Sequence, residues 1–464
     1  MIEAVPNCPR CAELLERIAQ LEQAVRDLQA RLGQNASNSS LPPSANPPDA
    51  PKPVVKKRTG KPTGGQPGHL GLSRVRLPPE RVQHTIPLVP THCERCHTCL
   101  SAQPGPDDPE PSWHQVAELP RLSAVITEFQ GHARTCSCCG HITRARIPAE
   151  IRAHTFGPRL ATTLAYLSGC QHLSQRGLED VTEAVFGVPV SVGAINALQE
   201  QMSQALQPAH QEIAQIVAQA DVKHVDETGW KQAGQKRWLW TVVSINAVYF
   251  LVQVGRGARA LRHMLGQVIQ GVICSDRWSA YQVVPLAQRQ ICWAHLKRDF
   301  QAMVDRGGAG SGIGQELVFY TAGLFGLWYK VRDGTRSRRW LQQQLERLRP
   351  EVRGVLEEGA GCACAPTAGT CAKILEVEPA LWTFARVEGL EPTNNTAERA
   401  LRPAVLRRKR SFGNSSESGC QYVSRLLSVV QTLRRQGRSV LDYLQAALEA
   451  QRHGLPIPKL GFNT

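Results

Sequence analysis

Apolar residues recur along this chain with changing periods, and the changes divide it. Leu14, Ile18, Leu21, Val25, Leu28 and Leu32 step by 4, 3, 4, 3 and 4 residues, with Glu, Arg and Gln filling the positions between. This a/d alternation predicts a coiled-coil helix over residues 1–34. Fewer than three heptads suits a self-pairing helix and a single helix packed on the body equally well. From 35 to 82 the pattern lapses into Pro, Gly, Ser and Lys, including Lys56-Lys57-Arg58-Thr59-Gly60-Lys61. Too little apolar surface is present to offset the entropy of ordering, so a basic linker is expected, either a spacer or a segment laid along a phosphate backbone.

Helical periodicity dominates residues 147–220. Segments 178–187 and 191–198, joined through Gly187-Val188-Pro189-Val190 with Ser191 as N-cap, have helix-turn-helix proportions, although such pairs are also common in helical bundles. Beyond Asp221 the chain turns strand-like at 222–226, 237–245, 247–254, 271–275 and 288–292, with a hairpin through Asn246 and a helix near 258–265. Three strands, a helix, a strand, a helix and a strand describe a mixed α/β sheet faced by helices over 221–304. Residues 305–392 read as an all-α insertion, with Leu341, Leu345, Leu348, Val352 and Val355 on one face. The core resumes over 393–464 and ends in helices at 419–435 and 439–452. The fold class is therefore multidomain α/β.

Charge narrows the partners. Lys and Arg total 54 against 39 Asp and Glu, a formal +15, and the pI is near 9.4. A polyanion is indicated, nucleic acid first and a membrane surface second. Met1-Ile2-Glu3-Ala4-Val5-Pro6 lacks the regions of a secretion signal, and no apolar run is long enough to span a bilayer, so a cytoplasmic protein is expected.

The 15 cysteines then read as reduced thiols and metal ligands rather than disulfides. Cys93-Glu94-Arg95-Cys96 and Cys136-Ser137-Cys138-Cys139 are CxxC knuckles flanking a strand-like stretch at 124–129. Cys93, Cys96, Cys136 and Cys139 predict a zinc ribbon over 83–146, with structural rather than catalytic Zn²⁺, because four sulfur ligands leave no open position. Cys99, Cys138, His92, His97 and His141 keep the choice of ligands open. Asp226 and Asp276 each fall at a predicted strand end, where an Asp is ordinarily a turn residue. If those strands are neighbours, the two carboxylates converge. Glu398 stands in Asn394-Asn395-Thr396-Ala397-Glu398-Arg399, alone among six cations that include Arg402, Arg407, Arg408, Lys409 and Arg410. Asn394 and Asn395 are placed to cap its helix. The unremarkable alternative makes Glu398 a first-turn acid paired with Arg402. Three carboxylates at a sheet edge offer the hard oxygen ligands that two Mg²⁺ ions require, and the cations beside Glu398 suit phosphates.

With Asp226-Glu227-Thr228, Ser275-Asp276-Arg277-Trp278, Cys292-Trp293-Ala294-His295 and the Asn394 to Arg399 block in this order, the chain resembles the insertion-sequence-66 family of bacterial transposases. The resemblance extends over nearly the whole length, including the heptads, Gly64-Gly65-Gln66-Pro67-Gly68-His69 and the double CxxC. It implies an RNase H-like core whose DDE triad falls on Asp226, Asp276 and Glu398. Cys292 and His295 match a Cys-x-x-His of the family, as packing beneath the site or as part of it. The implied activity is cleavage and transfer of DNA strands at element ends, with two Mg²⁺, for which Mn²⁺ substitutes. The implied partners are double-stranded DNA, further copies of the chain and accessory proteins of the same element, at the bacterial nucleoid. A zinc-ribbon repressor that binds without cutting, and a nuclease of the same fold that never joins, are the competing readings.

Overall fold

The computed structural model describes residues 13, 14, 16–22, 25, 75–103 and 105–462. Of the predicted coiled coil, the described residues are helical, with Leu14, Ile18, Leu21 and Val25 exposed. Leu28, Leu32 and the predicted linker as far as Arg74 lie outside the described residues. The chain forms two compact units, residues 51–124 and the remainder. In the larger unit the hairpin of β1 (Ala133–Thr135) and β2 (Ile142–Arg144) carries the second CxxC. The strand expected at 124–129 is not formed, because pairing stays local to the two sides of the knuckle.

Helices α1 (Pro158–Cys170), α2 (Gln175–Phe186), α3 (Val192–Ala205) and α4 (Gln207–Gln219) precede the main sheet. Gly187 ends α2 in the left-handed conformation (φ 66°), and Ser191 Oγ accepts from Ala194 N to start α3. The sheet contains β3 (Val222–Gln232), β4 (Gln235–Val243), β5 (Val248–Gln253), β6 (Val272–Ser275) and β7 (Arg289–Ile291), in the order β5-β4-β3-β6-β7. β3, β4 and β5 form an antiparallel meander, whereas β6 and β7 run parallel to β3. Helix α5 (Ala258–Leu265) leads into β6. Between β6 and β7 the expected helix is replaced by two 3₁₀ turns, Ser279–Val283 and Leu286–Gln288, because few residues separate the strands. The strand expected to stop at Asp226 continues to Gln232. Its partner β4 keeps pairing through a tight turn at Ala233 and Gly234, both at positive φ.

The insertion consists of α6 (Trp293–Arg306), α7 (Gly310–Arg332), α8 (Arg338–Ala360) and α9 (Ala365–Leu375), and α10 (Asn395–Ser411), α11 (Glu417–Arg435) and α12 (Val440–Arg452) follow. One apolar core joins α1–α4 and the closing helices to the meander through Leu164, Ile195, Met202, Trp240, Phe250, Leu427 and Leu448. A second gathers the insertion around Trp293, Phe300, Leu324, Leu341, Leu356 and Phe384, against Cys274 and Ile291 of the parallel strands.

The outer edge of β5 is closed by side chains rather than by another strand. Ser424, Ser428 and Thr432, four residues apart on α11, accept from the N–H groups of Val252, Phe250 and Val248 at 3.2, 2.8 and 3.0 Å. One turn of helix thus matches two residues of strand, and the open edge is capped. Ser428→Ala leaves the Phe250 N–H buried and unpaired, so it is expected to lower unfolding stability by about 1–3 kcal/mol. A denaturation midpoint equal to that of the parent chain would count against this role for the hydroxyl.

Candidate active site

The parallel register brings the predicted residues together. Val222, Lys223 and His224 of β3 pair with Val272, Ile273 and Cys274 of β6, and Ile273, Cys274 and Ser275 pair with Arg289, Gln290 and Ile291 of β7. Carried past the last pairs, the same offsets set Asp226, Asp276 and Cys292 level with one another, Asp226 within β3 and Asp276 and Cys292 just past the ends of β6 and β7. Neighbouring strands lie about 4.8 Å apart. Cys292 N donates to Ser275 O at 2.8 Å, which continues the ladder one step beyond β7. Asp276 Oδ1 accepts from Trp278 N at 2.9 Å, so a turn directly after β6 fixes the second aspartate.

Glu398 reaches this point through Asn394. The Asn394 side chain is not used as a helix cap. Its Nδ2 donates to Val225 O at 2.7 Å, and its Oδ1 accepts from His224 Nδ1 at 3.3 Å. Its backbone N–H points at Cys292 Sγ, 3.1 Å away. Burial lowers the His224 pKa to about 4, so the ring is neutral and free to donate. The start of α10 is therefore bolted to β3 and to the end of β7, with Glu398 one turn further on. Arg402 is not its partner. His295 Nδ1 lies 3.7 Å and Arg298 Nη2 4.0 Å from Glu398 Oε1.

The three carboxylates interact. Asp226 is raised well above the ordinary carboxylate range by burial, then by the adjacent Glu227, with Asp276 and Glu398 adding; a hydrogen bond from the Glu227 N–H opposes them. Among the described residues neither Asp226 nor Asp276 forms an ion pair, whereas Glu398 has His295 and Arg298 beside it. Beside it, burial pushes the Cys292 thiol up to about 11. Burial, and then Arg298, lower the pKa of His295. Ligand atoms of Cys292, His295 and Glu398 all lie within 4.8 Å of one another.

The basic residues divide. Arg402, Lys409 and Arg410 are exposed. Arg407 turns inward, its Nη1 donating to Ser168 O at 2.7 Å, and burial lowers its pKa. Arg408 donates to Thr228 Oγ1 at 2.8 Å and to Gly229 O, tying α10 to β3. The exposed positions of α3, Gly193, Asn196, Ala197, Glu200 and Gln204, carry no cation for a phosphate.

Sequence reasoning missed a cluster on the opposite face of β3. Glu227 accepts from Arg256 Nε and Tyr281 OH, each at 2.7 Å, and the Arg256 guanidinium lies over Trp278 at 3.9 Å and Trp238 at 4.8 Å. Glu227 beside Asp226, and Trp278 and Tyr281 beside Asp276, were the available signals, because strand alternation sends neighbours to opposite faces.

Each CxxC knuckle has the same turn. His97 N donates to Cys93 O and Gly140 N to Cys136 O, both at 2.9 Å, and His97 and Gly140 both have positive φ. The Thr98 hydroxyl holds Cys96 below the usual thiol range, and the Cys139 N–H does so for Cys136. The first knuckle belongs to the 51–124 unit and the second to the larger one.

The protein is of the mixed α/β class, with Asp276 just past β6 and Asp226 level with it on β3. The family model described as the transposase IS66 family matches residues 153–422, more than half of the chain, and the chain belongs to that family. A second family model, of unknown function (DUF6444), matches residues 5–75. The "Uncharacterized protein y4qI" of Sinorhizobium fredii (strain NBRC 101917 / NGR234) is 27% identical over 255 residues, 48% of this chain and 46% of the relative. The "Uncharacterized protein y4hP" of the same strain is 24% identical over 386 residues, 74% of this chain and 68% of the relative. The chain thus spans less than half the length of the first of these relatives. Among the described residues no helix is long and apolar enough to cross a membrane.

Proposed function

We propose that this chain is a DNA transposase with an RNase H-like core, cutting and joining strands with two divalent cations held by Asp226, Asp276 and Glu398. The observation that carries the reading is the register that sets Asp226 level with Asp276, with burial, Glu227, Asp276 and Glu398 together raising the proton affinity of Asp226 and, among the described residues, no cation paired to either aspartate. Such a set fits Mg²⁺, or Mn²⁺ in its place: the donors are hard oxygens, and a divalent charge relieves their repulsion. When bound, these ions supply Lewis-acid activation of the attacking oxygen and stabilise charge on the leaving one. A sheet whose first strand in sequence lies at the centre, between an antiparallel meander and two parallel strands, agrees with the RNase H-like assignment.

The chain's own residues do the positioning. Asn394 holds the start of α10, and with it Glu398, against β3 through Val225 and His224. Arg408 and Arg407 anchor the far part of α10, and Arg402, Lys409 and Arg410 on its exposed side take DNA phosphates. Replacing these last three together by Gln is expected to weaken DNA binding and to reduce the slope of log K against log salt by about 2–3, since each phosphate contact contributes about 0.9. An unchanged slope in a filter-binding titration would remove them from the interface.

Cys93 and Cys96 of the first knuckle, and Cys136 and Cys139 of the second, are proposed as ligands of structural Zn²⁺. Support comes from their matching turns and lowered thiols at Cys96 and Cys136. The exposed stripe of Leu14, Ile18, Leu21 and Val25 supports pairing between copies of the chain.

The function is tested by incubating the purified chain with Mg²⁺ and DNA carrying the ends of its own element. Joined products support transposition. Hydrolysed ends without joining identify a nuclease, and retarded but intact DNA identifies a repressor.

A further inference from the structure

Cys292, His295 and Glu398 form the cluster of potential metal ligands found among the described residues, and the carboxylate trio does not account for it. Their chemistry differs from that of the trio: a thiol sulfur, an imidazole nitrogen and one carboxylate oxygen suit a borderline-soft cation such as Zn²⁺ and discriminate against Mg²⁺. The ligand atoms lie within 4.8 Å of one another, whereas bonds of about 2.0–2.3 Å place tetrahedral ligands roughly 3.3–3.8 Å apart. Binding therefore requires His295 and Glu398 to turn inward, and both side chains are partly exposed.

Two further observations point to a ligand. His295 Nδ1 is buried, has no hydrogen-bond partner and lies 3.7 Å from Glu398 Oε1. Buried polar atoms left unpaired are uncommon and call for an explanation. Cys292 precedes the first residue of α6, the Asn394 N–H points at its sulfur, and that sulfur lies with His295 and Glu398 although burial favours its thiol form, whose proton a bound cation would displace.

We propose that Cys292, His295 and Glu398 bind one thiophilic divalent cation, Zn²⁺ in particular, and that this ion withdraws Glu398 from Asp226 and Asp276 and so inhibits the Mg²⁺-dependent reaction. The thiol proton leaves to solvent as the sulfur binds, and the fourth position is left for water. The inhibitory half rests on the function proposed above. The binding half does not.

The test uses the full chain, with its knuckle sites intact, and Co²⁺ or Zn²⁺ as the probe. Equilibrium dialysis and the thiolate-to-cobalt absorption band are measured for the parent chain, Cys292→Ser and Glu398→Gln, the last kept because Glu398 is partly exposed and its loss leaves the core intact. The parent chain is expected to bind one equivalent more than Cys292→Ser, and Glu398→Gln to bind that equivalent at least about tenfold more weakly. Identical stoichiometry, affinity and absorption in all three overturn the site. In parallel, Zn²⁺ is titrated into parent-chain cleavage reactions at fixed Mg²⁺, where rates are expected to fall as the extra equivalent binds. Full cleavage with that equivalent bound overturns the inhibition. Absence of cleavage in Mg²⁺ alone refutes the proposed function instead, and leaves the binding result to decide the site.

Discussion

Asp226→Asn is expected to abolish DNA cleavage and strand transfer, by on the order of 10³-fold or about 4 kcal/mol of transition-state stabilisation, while DNA affinity is retained. Asparagine keeps the volume and one acceptor oxygen, so the Glu227 N–H keeps a partner, but the negative charge is lost. The same substitution should raise the melting temperature. In the parent chain that carboxylate is desolvated and repelled by Glu227, Asp276 and Glu398, and removing it relieves a cost that the fold otherwise bears. Loss of activity with gain of stability separates a functional carboxylate from a structural one, since a misfolded variant loses both. Differential scanning fluorimetry beside a cleavage assay measures the pair. Undiminished cleavage by the Asn variant in Mg²⁺ would sink the assignment of Asp226, and a lowered melting temperature would sink the account of its environment.

The second large effect is expected at a residue that bears no charge. Asn394→Ala leaves the Val225 carbonyl and the His224 N–H without their partners, and both are buried. At about 1–3 kcal/mol for each unpaired group, the loss of stability should reach about 2–5 kcal/mol. Activity should fall by on the order of 100-fold, because the start of α10 loses its tie to Val225 and His224, leaving only the Arg408 tie further along, and Glu398 is no longer held with fixed geometry. Asn394→Asp discriminates further. It preserves the acceptor for His224, removes the donor to Val225 O and adds a negative charge beside the carboxylates, so it should be at least as damaging as Ala. If Asn394→Asp retained both parent activity and parent melting temperature, the clamp would be wrong.

Much of this architecture was legible in the residues. The hairpin at Asn246, the helix at 258–265, the Ser191 and Ser439 caps and the apolar face from Leu341 to Val355 are local events, set by spacing and by side chains within a few residues of each other. Misreadings occurred where a distant partner decided the outcome. β3 runs past Asp226 because β4 pairs with it as far as Gln232. Asn394 has the composition of a cap yet spends its side chain on a strand 169 residues away in sequence. Arg407 and Arg408 read as phosphate ligands in a basic run, but helical rotation turns one toward Ser168 and the other toward Thr228.

By itself the sequence determined which side chains were chemically out of place: two aspartates after apolar runs, a lone glutamate among cations and cysteines in pairs. Residue type and short-range spacing are sufficient for that, because propensity, capping and charge act over a turn or two. Only the tertiary structure decided that β6 lies beside β3 in a register of 50 residues, which brings Asp226 level with Asp276, and that Asn394 swings Glu398 to meet them. Register is chosen by how whole strands and helices bury their apolar faces, a collective choice that no local pattern contains.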